Sequence, residues 1–209
     1  MKDIIIVGAG GYGREAYYLI QWINSIEKRW NLKGFINDVH EDLASKGINL
    51  PIIGTIKDWQ PAPNEVFAMG ISSPQGKMKV ATLLCGRGAK FVTLIAPGVT
   101  YAPTATFGEG SIITYPANIG DCARIGRFVN VAGSMIGQDA EIGDFSTTTG
   151  YTNVTNAKIG KRVFVGSHAV ILNGRKIGDD AVICAGSVVF HNVKPGYKVL
   201  GNPARRFDA

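Results

Sequence analysis

The chain has 209 residues, of which 45% are hydrophobic and 18% charged, so it is too apolar to be disordered and long enough to bury a core. Its net charge of +6 suits anionic partners, but Lys and Arg are scattered, and nucleic acid is not expected as a partner. Three cysteines without CxxC spacing argue against a disulfide framework or a zinc site; without a membrane-spanning stretch, no membrane insertion and a cytoplasmic location are expected.

The amino-terminal segment predicts a strand, a glycine turn and a helix. Residues 4–7 are aliphatic, Gly8, Gly10 and Gly13 follow with GxGxxG spacing, and residues 14–20 carry apolar side chains at helical spacing. Further strands at 34–36 and 65–70 and a helix around 77–84 complete a small parallel sheet. Residues 1–94 are therefore predicted to form a small Rossmann-like α/β domain.

The glycine turn by itself leaves three interpretations open: a sugar-nucleotide site, a nicotinamide site, or a tight turn without a ligand. In each of the first two, backbone amides at the helix amino terminus stabilise a phosphate. A domain of about 95 residues holds only half of a dinucleotide fold, which favours the sugar nucleotide over a nicotinamide oxidoreductase. Asn37 and Asp38, directly after the second strand, are then candidates for contacts to the base or ribose.

From residue 95 onward the chain follows a six-residue period in which an aliphatic residue is usually followed by glycine. The steps are six except for eleven after Ile125 and seventeen after Ile142, and a small or β-branched residue stands four positions after each start except Ile171, which has Arg175. This period predicts a β-helix of stacked three-strand coils and accounts for the 27 glycines, because the corners need residues without bulk. A β-sandwich would alternate with period two. The starts are Ile113, Ile119, Ile125, Ile136, Ile142, Ile159, Val165, Ile171, Ile177 and Ile183.

With these repeats, residues 186–189 (GSVV) and residues 201–204 (GNPA), the chain resembles the hexapeptide-repeat acyltransferases. Adding residues 7–15 (VGAGGYGRE), the whole chain is similar to the sialic acid O-acetyltransferase and bacillosamine N-acetyltransferase family. The resemblance implies a left-handed parallel β-helix over residues 95–209, a homotrimer, acetyl-CoA in the groove between neighbouring helices, and a sugar nucleotide held by the front domain.

The catalytic segment implied by the resemblance departs from the family's pattern. A histidine followed by an acidic residue is expected between two aliphatic-glycine pairs, and Gln138 and Asp139 stand there. An amide cannot take up a proton near neutral pH, so Gln138 cannot serve as a general base. Three interpretations remain open: an amine acceptor that needs little base assistance, which is favoured; a base supplied from elsewhere, as O-acylation of a hydroxyl would need; or loss of activity.

The remaining site predictions concern the histidines, a possible metal and the acetyl-CoA contacts. His168 and His191 are interpreted as solvated, with contact of His168 to a thioester across a trimer interface as the alternative. No metal site is expected, since three histidines without paired spacing do not make a ligand set. Arg205 and Arg206 are plausible partners of the CoA phosphates. The acetyl-CoA contacts implied along one edge of the β-helix are Asn156, Gly166, Ser167, Ala185 and Gly186.

Overall fold

The computed structural model describes residues 1–207 and begins with a four-stranded parallel sheet. The strands are β1 (Lys2–Val7), β2 (Trp30–Ile36), β3 (Ile52–Gly54) and β4 (Glu65–Met69). The sheet order is β3-β2-β1-β4, and every neighbouring pair runs parallel. One of the two inner strands, β1, carries the apolar run that was predicted as a strand.

Two helices cover the two faces of this sheet. On one face, Ile4 and Ile6 belong to the apolar cluster of α1 (Gly11–Ile26); on the other, Ile5 and Val7 belong to the cluster of α2 (Pro74–Gly86). Alternate residues of β1 therefore serve opposite helices, as expected for a strand that is buried on both sides. This arrangement confirms the predicted Rossmann-like front domain.

The rest of the chain winds into a parallel β-helix with three flat faces. Face 1 contains β5 (Leu94–Ile95), β8 (Ile112–Thr114), β11 (Asn130–Ala132), β14 (Thr147–Thr148), β17 (Phe164–Val165), β20 (Val182–Ile183) and β22 (Lys198–Leu200), and it ends with the antiparallel β23 (Arg205–Arg206). Face 2 contains β6 (Thr100–Tyr101), β9 (Asn118–Ile119), β12 (Met135–Ile136), β15 (Asn153–Val154), β18 (Val170–Ile171) and β21 (Val188–Val189). Face 3 contains β7 (Thr106–Phe107), β10 (Arg124–Ile125), β13 (Glu141–Ile142), β16 (Lys158–Ile159) and β19 (Lys176–Ile177).

The predicted left-handed β-helix is confirmed, and the structure also explains the irregular steps. The strands between the predicted starts exist, but their inward residues Val131, Thr148 and Val154 are not followed by glycine, so the aliphatic-glycine signature misses them. Up to Val189 one coil takes 17 or 18 residues, because two corners, after Val131 and after Val154, are one residue shorter than the others, and the last coil, from Ile183 to Val199, takes 16. The steps of eleven and seventeen are these shortened corners.

The glycines of the repeat are required by close stacking of the coils. A Cβ added to Gly120 would lie 2.5 Å from the backbone nitrogen of Gln138 in the next coil, and one on Gly166 would lie 2.5 Å from the nitrogen of Ala185. The left-handed backbone positions two residues further on are mostly filled by other residues, among them Phe128 and Asp139, both with φ 56°. The predicted lack of bulk at the corners therefore applies to the residue directly after each strand.

The front domain packs on face 1 and on the edge between faces 3 and 1. Phe91 contacts Phe128 edge-on with ring centroids 5.0 Å apart, and Phe145 stacks on Phe128 at 5.3 Å. Leu94 begins β5 and Ile112 begins β8, the first two strands of face 1, and both residues belong to the same apolar cluster as α1. Within residues 1–207, the structure contains no helix with the length and apolar character needed to span a bilayer.

Candidate functional site

The glycine turn forms one end of a cavity in the front domain. Gly13 cannot be replaced without clash, since an added Cβ would lie 2.0 Å from the carbonyl oxygen of Gly8, whereas Gly10 has open space around it. Gly10 precedes α1 without a side-chain cap, and the first turn of α1 has no acidic residue. The amides at this helix terminus therefore face a cavity of about 360 Å³ that suits an anion. Its lining residues include Gly8, Gly10, Gly11, Tyr12, Asn37, Ile71, Ser72 and Ser73.

The predicted nucleotide contacts lie beside this cavity, but part of their polar capacity is already used. Asn37 accepts a hydrogen bond from the Ala9 amide at 3.2 Å and donates one to the Val39 carbonyl at 2.6 Å, so it shapes the glycine turn. Asp38 accepts a bond from the Lys57 amide at 3.0 Å. Both residues also line a second cavity of about 710 Å³, which shares Asn37, Val39 and Glu41 with the first.

Tyr12 is a cavity residue that sequence reasoning did not single out. Its hydroxyl is buried and has no hydrogen-bond partner within residues 1–207. Burial is the main cause that raises the pKa of Tyr12, and the nearby Glu15 adds to it, so the phenol stays protonated. A buried phenol without a partner costs free energy. The signal in the sequence was its position inside the glycine motif.

Gln138 and Asp139 lie on the edge between faces 2 and 3. Both side chains are exposed, and neither makes a hydrogen bond or ion pair within the described part of the chain. Their backbone is rigidly placed, because the amide of Asp139 donates to the Asp121 carbonyl one coil below at 2.9 Å. The pair is therefore free to contact another molecule.

The five predicted acetyl-CoA contacts separate into two groups. Gly166, Ser167, Ala185 and Gly186 stack on the edge between faces 1 and 2, where the Gly186 amide donates to the Ser167 carbonyl at 2.8 Å. Asn156 lies on the edge between faces 2 and 3, one coil above Gln138 and Asp139. One copy of the chain does not bring the two groups together.

The front domain and Gln138 are likewise apart within one chain. The front domain contacts face 1, and the edge between faces 2 and 3 is the edge of the prism opposite to that face. The glycine cavity and Gln138 can therefore share a ligand only if a second copy supplies one of them.

Other predicted candidates are placed as follows. His168 is exposed and lies against Tyr151 with ring centroids 5.2 Å apart, on the edge between faces 1 and 2. His191 and His40 are exposed. Arg205 donates to the carbonyl of Ala204, and Arg206 lies over the ring of Tyr197 at 4.6 Å. No group of three or more His, Cys, Asp or Glu side chains suited to a metal occurs in residues 1–207, and metal-independent chemistry stays a prediction.

A buried lysine is the feature that sequence reasoning missed. Lys77 of α2 is fully buried, and its Nζ donates to the Ser146 carbonyl and to Thr147 Oγ1, both at 2.8 Å. Burial holds the pKa of Lys77 well below its ordinary value. The signal was present in the sequence, since Pro74, Lys77, Ala81 and Leu84 form one helical stripe and the other three are apolar.

Comparison with known families and proteins agrees with this architecture. Residues 3–84 match the PglD N-terminal domain, and residues 156–191 match the bacterial transferase hexapeptide (six repeats). A 2,3,4,5-tetrahydropyridine-2,6-dicarboxylate N-acetyltransferase of Clostridium perfringens is 51% identical over 43 residues, which are 21% of this chain. The matched part spans only 18% of the length of that relative.

Solved structures are similar over the whole chain. The acetyltransferase domain of PglB from Neisseria gonorrhoeae has a TM-score of 0.90 at 21% identity, covering 99% of this chain and all of that one. A mutant GDP-perosamine N-acetyl transferase from Caulobacter crescentus, in complex with CoA and GDP-perosamine, has a TM-score of 0.87 at 19% identity, covering 100% and 98%. WeeI from Acinetobacter baumannii has a TM-score of 0.86 at 24% identity, covering 99% and 100%.

The fold and the matched repeats define a hexapeptide-repeat protein of the bacterial transferase class. Within the chain, a segment that matches the PglD N-terminal domain precedes this β-helix, and the whole has the same fold as the acetyltransferase domain of PglB. The resemblance predicted from the glycine motif and the six-residue period is confirmed.

Proposed function

We propose that the chain is an acetyl-CoA-dependent N-acetyltransferase that acts on a nucleotide-linked amino sugar in the cytoplasm. The observation that carries the proposal is the pairing of an uncapped helix amino terminus beside a cavity with a hexapeptide β-helix that exposes Gln138, an amide unable to act as a general base, where a histidine is expected. Proteins of the same fold support the choice of ligands, since one is in complex with acetyl coenzyme A and another with CoA and GDP-perosamine.

The nucleotide is assigned to the front domain. Its phosphates would lie at the amino terminus of α1, against Gly8, Gly10 and Gly13, in the smaller cavity. The base and ribose would lie in the adjoining larger cavity, beside Asn37 and Asp38. A four-stranded sheet with one glycine turn provides one such phosphate site, which supports a single nucleotide over a dinucleotide.

The rest of the site is assigned to a homotrimer. The outward residues of face 2 are all uncharged, whereas face 3 carries the ion-paired Arg124, Glu141 and Lys158. Face 3 therefore fits a solvent-exposed surface, and face 2 fits a subunit interface. If face 2 of each copy packs toward a threefold axis, the edge between faces 2 and 3 of one copy meets the edge between faces 1 and 2 of the next. Gln138 and Asn156 of one copy then border the same groove as Ser167 and Gly186 of another, which lie one to three coils further along the axis. The outward residues of face 2 are Thr100, Asn118, Met135, Asn153, Val170 and Val188.

The chemistry follows from the kind of acceptor. A neutral amine attacks the thioester carbonyl, the carbon–sulfur bond breaks as the carbon–nitrogen bond forms, and the extra proton leaves the nitrogen after attack and balances the thiolate. The Gln138 side-chain oxygen can accept a hydrogen bond from the amine and so orient it. The Asp139 carboxylate stabilises the positive charge that develops on the nitrogen. Neither step requires Gln138 to take up a proton.

The test is an acetyl-transfer assay that measures release of the CoA thiol. Native protein is incubated with acetyl-CoA and a panel of nucleotide-linked amino sugars, with the matching hydroxyl sugars as the comparison. We expect turnover only with the amines, and a loss in kcat of about tenfold or less for Gln138→Ala, because removal of a true general base costs 10²–10⁴-fold. Gln60→Ala, which changes an exposed glutamine of the front domain, serves as the control.

Two outcomes would contradict the proposal. Turnover of hydroxyl acceptors alone would indicate an O-acetyltransferase with its base supplied from elsewhere. Release of no thiol with any acceptor, together with binding of nucleoside diphosphates, would indicate a sugar-nucleotide-binding relative without activity. The trimer is tested separately by light scattering, where Met135→Arg on face 2 is expected to yield monomers and Arg124→Glu on face 3 is not.

A further inference from the structure

Lys77 is buried without a charged partner, which is an expensive arrangement. It lies in the first part of α2, and its two hydrogen-bond acceptors are a backbone carbonyl and the hydroxyl of Thr147. Within residues 1–207 no carboxylate forms an ion pair with it. An apolar side chain at this position of the helical stripe would avoid the cost of burying an amine. The lysine therefore needs an explanation beyond packing.

The partner of Lys77 is a hydroxyl that holds the front domain. Thr147 Oγ1 donates a hydrogen bond of 2.7 Å to the carbonyl of Ser72. Because Lys77 donates to the same Oγ1, the hydroxyl proton of Thr147 is directed toward Ser72. The lysine thus sets the direction of a contact between the two domains.

A second contact of the same kind lies one coil below. Asn130 is paired with Thr147 in neighbouring strands of face 1, and its Nδ2 donates to the carbonyl of Ile71 at 3.3 Å. Two consecutive carbonyls of the front domain are therefore held by two stacked side chains of the β-helix. Two hydrogen bonds from neighbouring coils of the β-helix therefore hold the backbone of residues 71–73.

Residues 71–73 form the wall of the glycine cavity that faces the β-helix. Ile71, Ser72 and Ser73 line the cavity beside the glycine turn, and Ser73 also caps α2 by accepting from the Gly76 amide at 3.3 Å. A shift of this wall changes the shape of the cavity directly. The contacts of Thr147 and Asn130 therefore control where the cavity lies relative to face 1.

We propose that Lys77 is a positioning residue, which orients the hydroxyl of Thr147 and thereby fixes residues 71–73 as the wall of the nucleotide cavity. Lys77 contacts neither substrate, because it is fully buried. Its removal loosens the wall, weakens nucleotide binding and leaves the acetyl-CoA edge unchanged. The kinetic part of this proposal rests on the proposed function, whereas the structural part does not.

The first experiment measures amide hydrogen exchange and needs no activity. Lys77→Met is compared with native protein and with Lys79→Met, which changes an exposed lysine two residues further along α2. We expect exchange of the amides of residues 76 and 77, which donate to Ser73 Oγ and to the Ser73 carbonyl, to rise roughly tenfold in Lys77→Met, while β1 and β2 keep their protection. Equal exchange in Lys77→Met and Lys79→Met would overturn the proposal.

The second experiment uses a pair of substitutions that keep the lysine. Thr147→Val removes the hydroxyl at nearly constant volume, and Thr147→Ser restores it. Affinity for UDP and GDP is measured by calorimetry, and KM for acetyl-CoA by thiol release. We expect Thr147→Val to weaken nucleotide affinity roughly five- to tenfold with KM for acetyl-CoA unchanged, and Thr147→Ser to recover most of the loss. No recovery by Thr147→Ser would contradict a role for the hydroxyl.

The two experiments separate failure of this proposal from failure of the proposed function. Native protein that binds neither UDP nor GDP contradicts the nucleotide site, and the exchange measurement still decides whether Lys77 holds residues 71–73. If Lys77→Met does not fold, the Thr147 pair measured by exchange gives the same decision. A change in Thr147→Val confined to KM for acetyl-CoA would show that the hydroxyl held by Lys77 serves the acetyl-CoA site, and it would overturn the proposal.

Discussion

Replacement of the buried lysine by an apolar residue should change how stability depends on pH. The unfolded chain holds the Lys77 proton up to its ordinary pKa near 10.4, whereas burial lowers the pKa in the folded state. Between the two pKa values the unfolded state binds one more proton. The native free energy of unfolding therefore rises with pH, by up to about 1.4 kcal/mol per pH unit from this one group, and falls again as pH is lowered.

Lys77→Met removes this term. The measurement is urea unfolding at one protein concentration, at pH 7, 8, 9 and 10, for native protein, Lys77→Met and the exposed control Lys79→Met. We expect the difference in stability between native protein and Lys77→Met to shift in favour of native protein as pH rises. Lys79→Met should run parallel to native protein. Parallel curves for native protein and Lys77→Met would refute the reasoning, since the buried amine would then carry its proton throughout.

Three further predictions concern the front domain and its junction with the β-helix. Gly13→Ala should destabilise by about 3 kcal/mol, because its Cβ would lie 2.0 Å from the Gly8 carbonyl oxygen, while Gly10→Ala, with open space, should cost less than about 1 kcal/mol; thermal unfolding of both decides, and equal losses would contradict the close approach. Phe128→Ala should cost about 3–5 kcal/mol in urea unfolding, and more than Phe145→Ala, because Phe128 is buried between two aromatic rings and Phe145 is half-buried. Arg162 donates two hydrogen bonds of 2.7 Å to Asp180 and so lowers the pKa of Asp180. That stabilisation is present above the ordinary carboxyl pKa and is lost as pH falls through the lowered one. Asp180→Asn should therefore cost under about 1 kcal/mol at pH 7, since the carboxylate is 42% exposed, and nothing at pH 2; a loss that persists at pH 2 would contradict the ion pair as its source.

The sequence predicted the architecture because the two domains obey different periods. Six-residue spacing of aliphatic residues is specific to stacked coils, and the strand-turn-helix order around Gly8 and Gly13 is local. The sequence did not predict the strands that lack the aliphatic-glycine signature. One example is β14, where Thr148 points inward and is fully buried, but a threonine in a run of threonines gives no hydrophobic signal. Stacking in register on Val131 and Val165 places it there, and that is a long-range effect.

The candidate site was less predictable than the fold, for a physical reason. Single positions such as Asn156 and Gly166 could be assigned to corners, but which corner each occupies depends on the number of shortened coils before it. Asn37 was predicted as a ligand contact, and the structure shows its amide engaged with backbone, which only the turn geometry reveals. Lys77 was hidden, because a lysine on a helix is ordinarily solvated.

The reversed strand β23 has a consequence for how copies of this protein associate. A column of parallel coils exposes unpaired amides and carbonyls on its last rung, a template onto which the next molecule could add. Here β23 folds back antiparallel on β22, pairing Leu200 with Arg205, and the front domain covers the first rung through Leu94. Both ends of face 1 are therefore occupied by other parts of the same chain, and a further strand from another molecule cannot be added to this face without displacing them.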